Sequence, residues 1–163
     1  MPRKLLPIEE ILTRLEAGPR RIAELTAGFG EAQLHAPPRP GEWSTNEVLA
    51  HLRSCNDVWG GHILAMIAED RPARKAINPR TYIKQTNYLD LDFAPSLQAL
   101  TTSRAELIAV LTPLAPEGWE RTGMASGWGQ VYRRSVIGEG DALARHEWQH
   151  LKQIEVIVHA LRV

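Results

Sequence analysis

A single cysteine, Cys55, is all that this 163-residue chain contains. That scarcity excludes an intramolecular disulfide framework and any Cys-x-x-Cys zinc or redox site, so a bound metal would have to be held by histidine and carboxylate. Charge of one sign is missing as well. The 19 Lys plus Arg balance the 19 Asp plus Glu, which leaves no net field to draw the protein to phosphate backbones or anionic lipid. Nucleic acid and membrane are therefore not expected partners. Long apolar runs are absent too: the longest, residues 63–68, falls well short of the roughly 20 residues a spanning helix needs. Met1-Pro2-Arg3-Lys4 leads into no secretory hydrophobic stretch, so the expectation is a soluble, cytoplasmic protein. Neither an internal repeat nor a low-complexity tract is present. What remains is ordinary globular material, 44% hydrophobic and 23% charged, of a length that suits one domain over residues 1–163.

The apolar periodicity predicts four helical segments. In the first, Ile8, Ile11, Leu12, Leu15, Ile22 and Leu25 share a face, and Gly18-Pro19 in its middle predicts a kink or break, because Pro19 cannot donate its backbone bond. Residues 29–42, rich in Pro37, Pro38, Pro40 and Gly41, read as a loop. A second helix opens at Ser44-Thr45-Asn46-Glu47, which has the Ser-x-x-Glu form of a capping box, and runs to about residue 70. Its apolar arc includes Leu49, Leu52, Trp59, Ile63 and Met66, with His51, Cys55, Val58 and His62 in a flanking stripe. Residues 78–92 form a long connector with a helical turn around 81–86. The third helix carries Leu97, Leu100, Leu107 and Leu111, with Pro95 in its first turn. Residues 117–134 lack the alternation of a strand. The fourth helix starts near Ser135 or near Asp141 and presents Leu143, His146, Glu147, His150, Leu151, Ile154 and Ile157. The expected architecture is all-α, a four-helix bundle with long middle connections, which builds metal sites from side chains on facing helices.

His146 and His150 stand four residues apart, one turn above each other on a helix, so both can ligate one ion. His51 lies at the edge of a buried helix face. In a bundle the three can converge and leave one coordination position open. The letters His146-Glu147-Trp148-Gln149-His150 also match the His-Glu-x-x-His pattern of zinc proteases. The extended form of that pattern requires Gly at 153 and His at 156, where this chain has Gln153 and Val156, which argues against a protease.

Trp43-Ser44-Thr45-Asn46-Glu47-Val48-Leu49-Ala50-His51-Leu52 and Ala144-Arg145-His146-Glu147-Trp148-Gln149-His150, in that order and separation, resemble the two signatures of the DinB/YfiT-like superfamily. The resemblance implies a four-helix bundle holding a divalent metal through His51, His146 and His150. Family members include thiol-cofactor transferases, a maleylpyruvate isomerase using a low-molecular-weight thiol, and hydrolases. It therefore implies a metal-dependent enzyme, either a hydrolase or a small-thiol S-transferase, with zinc or nickel expected first and a low-molecular-weight thiol as conceivable co-substrate. The alternative is a non-catalytic metal-binding or stress-response module whose ion braces the bundle. A metal-free helical interaction protein is the third reading. Glu147 is the nearest candidate base, or else a partner that orients a ligand histidine or a plain surface carboxylate. Cys55 reads as a buried small hydrophobe or a pocket wall, and His62 as a packed histidine. Arg80, Tyr82 and Tyr88 could present donors to an anionic small-molecule substrate. Trp119 and Trp128 are candidates to cover the bundle mouth or a subunit contact, Trp59 belongs to the core, and Trp148 marks the surface of an expected homodimer.

Overall fold

Each of the four apolar stripes becomes a long helix in the computed structural model, which describes residues 1–162. The order is α1 (Ile8–Thr26), α2 (Glu31–His35), α3 (Thr45–Ala68), β1 (Ala73–Lys75), α4 (Pro79–Tyr82), α5 (Phe93–Leu111), α6 (Pro116–Trp119), β2 (Thr122–Gly127), β3 (Gln130–Ser135) and α7 (Val136–Leu161), with two 3₁₀ turns between α4 and α5. The long helices pack as α3 on α7, α7 on α1, α1 on α5 and α5 on α3. This closes a four-helix bundle in which α5 and α7 oppose each other across a diagonal.

Helix starts follow local chemistry. Ser44 Oγ accepts from Glu47 N at 3.1 Å while Ser44 N donates to Glu47 Oε2 at 2.7 Å, the capping box expected for α3. Ser135 Oγ accepts from Gly138 N at 3.1 Å, which fixes the earlier of the two proposed starts for α7. Residues 29–42 are not all loop, because they contain the short helix α2. Its Glu31 carboxylate accepts from Phe93 N and Ala94 N at 2.8 and 3.2 Å. A distant side chain thus caps α5, whose own N-cap residue Asp92 makes no side-chain bond.

The break expected at Gly18-Pro19 is absent: α1 runs through both residues. The reason lies on other helices. Pro19 leaves the Leu15 carbonyl without its helical donor, and Arg104 Nη1 of α5 donates to that carbonyl at 2.9 Å. The same guanidinium grips Glu147 of α7 bidentately, Nη1 to Oε1 at 2.8 Å and Nη2 to Oε2 at 2.6 Å. Arg104 Nε donates to Asn56 Oδ1 of α3 at 2.8 Å, and Asn56 in turn donates to Ser103 Oγ. Gly18 completes the arrangement, since a Cβ there would stand 1.7 Å from Glu147 Oε1. Arg104 and Glu147 are each 1% exposed, so their charges depend on one another and on these hydrogen bonds. This polar layer touches all four long helices. On each of them it separates two apolar clusters, one containing Leu15, Ile63, Leu107 and Leu143, the other Ile22, Leu52, Leu100 and Leu151.

Residues 117–134 also differ from expectation. β2 pairs with β3 antiparallel and with β1 parallel, in the order β1-β2-β3. The alternation exists, but its inward positions are Gly123 and Ala125, small residues that no hydrophobicity pattern reveals. The space favours glycine at 123, where a Cβ would crowd Pro72 O at 3.0 Å and Met66 Cγ at 3.1 Å. The hairpin turns on Trp128 and Gly129, both with positive φ, as a two-residue turn demands. Trp128 stands 71% exposed at that tip, whereas Trp119 is buried in the core rather than covering the bundle mouth.

The polar layer makes a direct stability prediction. Glu147→Ala leaves the Arg104 guanidinium buried without its counter-ion, and a loss of about 3–5 kcal/mol in urea-induced unfolding is expected. A loss below about 1 kcal/mol, the value typical of exposed pairs, would show that the layer does not hold the bundle.

Candidate metal centre

His51 sits on the second turn of α3, fixed by the capping box one turn before it. His146 and His150 sit on successive turns of the adjacent α7, on either side of Glu147. The structure brings all three rings together. His51 Nε2 lies 2.9 Å from His146 Nε2, and His150 Nε2 lies 3.1 Å from His146 Nε2. The ring centroids are 4.5–5.2 Å apart for the three pairs.

Such contacts do not suit a purely hydrogen-bonded cluster. Gln153 Oε1, an acceptor, stands 2.7 Å from His150 Nδ1, a contact that the neutral ring satisfies with its proton on Nδ1, leaving Nε2 only a lone pair. His146 Nε2 has at most one proton to share between its two neighbours, and the contacts to His51 and His150 cannot both be linear hydrogen bonds. One cation facing the three lone pairs satisfies them together. At metal–nitrogen lengths of about 2.0–2.1 Å, nitrogens bound to one ion stand about 2.9–3.4 Å apart, and the two measured separations fall in that range. The donor set therefore fits a divalent ion of the kind imidazole favours.

Electrostatics keeps the donors available. Burial pushes His51 and His146 down to about 4, and the neighbouring imidazoles and the Arg80 guanidinium act in the same direction. His150 is also lowered, by burial first, with its Gln153 bond opposing. All three are neutral near pH 7, the protonation state a metal ligand needs. His51 Nδ1 is buried and lacks a hydrogen-bond partner among the described residues.

Cys55 lies one turn beyond His51, with Sγ 3.5 Å from His51 Nε2, and the ligand atoms of His51, Cys55 and His146 are all within 4.8 Å of one another. Burial, followed by the Glu147 charge, pushes its thiol up to about 12. Without an ion beside it, Cys55 is thus a protonated wall of the site rather than a ready nucleophile.

Glu147, the candidate base, is not turned to the histidines. Both its oxygens are held by Arg104 between α1 and α5, so the structure gives it the role of anchor for the turn that carries His146 and His150. Tyr82 and Tyr88 also serve as anchors rather than open donors: both hydroxyls donate to Asp57 Oδ2 of α3, and Arg53 stacks 3.7 Å over the Tyr88 ring. His62 is remote from the cluster, 3.5 Å from Glu139 Oε2. Trp148 is half-buried against the chain's own core beneath Arg14 instead of standing on an open face.

Three neighbours of the site were not foreseen as such. Trp43 stacks on His150 at 6.4 Å and tilts against His51 at 5.4 Å. Gln153 fixes the His150 tautomer. Glu42, with Arg80 and Trp43, lines a cavity of about 490 Å³ that opens beside His150. Position 153, three residues after a histidine on one helix face, carries a signal for the Gln153 contact; the Trp43 contact has none beyond its place before the capping box. Trp59 meets His146 edge-on at 5.1 Å.

The model of the DinB superfamily matches residues 14–154. A Geobacillus thermodenitrificans protein named "Putative metal-dependent hydrolase" is 23% identical over 120 residues, which cover 70% of this chain and 64% of that relative. The match thus spans less than two thirds of the relative's length. Among solved structures, YfiT from Bacillus subtilis, described as "a probable metal-dependent hydrolase with an unusual four-helix bundle topology", superposes with a TM-score of 0.80 at 17% identity, covering 98% of this chain and 91% of its own. TT2238, described as a four-helix bundle protein, gives 0.64 at 23% identity, covering 92% and 99%. These likenesses establish the bundle fold.

The depressed histidines predict how the metal-free protein responds to acid. Unfolded histidine titrates near pH 6.5, folded His51 and His146 near 4, so between these values the unfolded chain binds more protons and stability falls as pH falls. Above pH 6.5 their contribution is fully present. Urea titrations in chelator should show this loss, and a His51→Asn, His146→Asn double variant should show a shallower one. Equal slopes for the two proteins would contradict the assignment.

Proposed function

Because the chain belongs to the DinB superfamily, we propose that it is a metal-dependent hydrolase of small molecules, in which His51, His146 and His150 hold one divalent ion, zinc or nickel, with a coordination position open to water or substrate. The observation that carries this reading is the convergence of three neutral imidazole Nε2 atoms whose contacts hydrogen bonding alone does not satisfy. The descriptions of the Geobacillus relative and of YfiT as metal-dependent hydrolases support hydrolysis as the reaction class.

A divalent ion at this position would polarise a carbonyl and make water acidic enough to attack it near neutral pH. The chain's own residues do the rest. Gln153 holds the proton of His150 on Nδ1 and so keeps Nε2 aimed at the cluster. The Arg104–Glu147 pair fixes the turn of α7 between the two ligands. Trp43 and Trp59 wall the histidines with aromatic surface and restrict water. Among the carboxylates, Glu42 lines the cavity while Glu147 is spent on Arg104. The cavity beside His150 favours catalysis over an ion that merely braces the bundle, since bracing requires no access.

A panel of small amides and esters, presented to the metal-loaded protein, tests the reading. A second panel pairs low-molecular-weight thiols with electrophiles. Hydrolysis is expected, lost in His150→Ala and reduced about 10–100-fold in Gln153→Ala. Turnover only in the thiol panel would reassign the reaction to S-transfer, and turnover in neither would contradict the enzyme.

A further inference from the structure

The cavity beside the histidines is lined by a cation, Arg80, that has no carboxylate partner among the described residues. Arg39 and Glu42 line it and face each other at 4.0 Å, offsetting one another. Arg80 has no carboxylate within ion-pair distance among the described residues, and its backbone N–H is committed to the Asn78 side chain that caps α4. Its guanidinium lies over the Trp43 ring, 5.4 Å from the centroid. That pose sets the guanidinium against an aromatic surface, and its side chain makes no hydrogen bond among the described residues, so its N–H groups remain available to a planar anion. The loop beneath it is secured, because Tyr82 and Tyr88 tie residues 82–88 to Asp57 of α3. Across the cavity stand Val156, Ile157 and Ala160, an apolar wall without a charge.

We propose that Arg80 is a specificity-determining residue, and that the substrates of this site are small carboxylates whose carboxylate pairs with Arg80 over Trp43. The carbon skeleton then lies along Val156, Ile157 and Ala160, with the reacting group turned toward His150. One uncommitted planar fork matches one carboxylate bidentately. A phosphate dianion would call for a second cation, and Arg39, the other cation lining the cavity, is exposed and stands 4.0 Å from the Glu42 carboxylate. Arg80 reaches the reacting centre through Trp43, whose ring lies against both His51 and His150. This inference rests on the histidine cluster being that reacting centre.

The test uses hexanoate and its neutral counterpart hexanamide, titrated into metal-free protein, so that a carboxylate cannot bind through an ion. The readout is the indole N–H resonance of Trp43. Hexanoate is expected to bind about tenfold or more tightly than hexanamide, the difference a charge-assisted pair supplies. Arg80→Gln should remove that preference and leave hexanamide binding unchanged, while Arg80→Lys should keep part of it. Equal affinity for acid and amide, or a preference that survives Arg80→Gln, would overturn the proposal. Metal content and turnover are measured separately on the same proteins. A chain that prefers hexanoate through Arg80 and yet neither binds an ion nor turns over substrate would refute the hydrolase reading and not the anion site.

Discussion

The fold depends on one buried ion pair. Arg104 of α5 and Glu147 of α7 meet across the diagonal of the bundle, and each helix contributes something that the pair needs: a freed carbonyl and a missing Cβ from α1, an amide oxygen from Asn56 of α3, the two charges from α5 and α7. A buried pair of this kind adds little net stability compared with apolar packing of similar shape. What it provides is register. The guanidinium accepts one set of partners, so the four helices have one way to align, and the apolar clusters above and below follow from it.

The histidines lie at the same level as this layer. His146 and His150 flank Glu147 on α7, and His51 and Cys55 precede Asn56 on α3, so the turns that carry the donors are the turns the polar layer fixes. This explains how three imidazoles approach to hydrogen-bond distance although burial denies them protonation. A site assembled from side chains on two rigid helices is held more closely than one built on loops. Access is left to the connecting segments: those carrying Glu42, Trp43 and Arg80 border the cavity, and differences among relatives in these segments would change the substrate without moving the donors.

Much of this was legible in the sequence, and the rest had identifiable reasons for being hidden. The four-residue spacing of His146 and His150, the Ser44–Glu47 box and the apolar stripes are local signals, and each appears in the structure where its period places it. The role of Glu147 was not legible, because its partner is 43 positions away and the His-Glu-x-x-His letters suggest a base. One residue on from His146, a helix has turned by about 100°, which carries Glu147 off the face of the donors. Pro19 predicts a break only if its orphaned carbonyl stays orphaned, and the donor that rescues it comes from another helix. The β2–β3 hairpin was concealed by Gly123 and Ala125 at its inward positions and by a Trp-Gly turn in place of Asn-Gly. Trp43 and Glu42 join the site through the fold of the loop before α3 against α7, a long-range contact that no local pattern announces.

The central claim is that His51, His146 and His150 form one metal centre. Elemental analysis of protein purified without a histidine tag, beside His150→Ala prepared in the same way, tests it most directly. The account predicts about one equivalent of a transition metal per chain, lost in the variant. Metal absent from both proteins even after incubation with zinc, nickel, iron and manganese salts, or retained in full by His150→Ala, would contradict it.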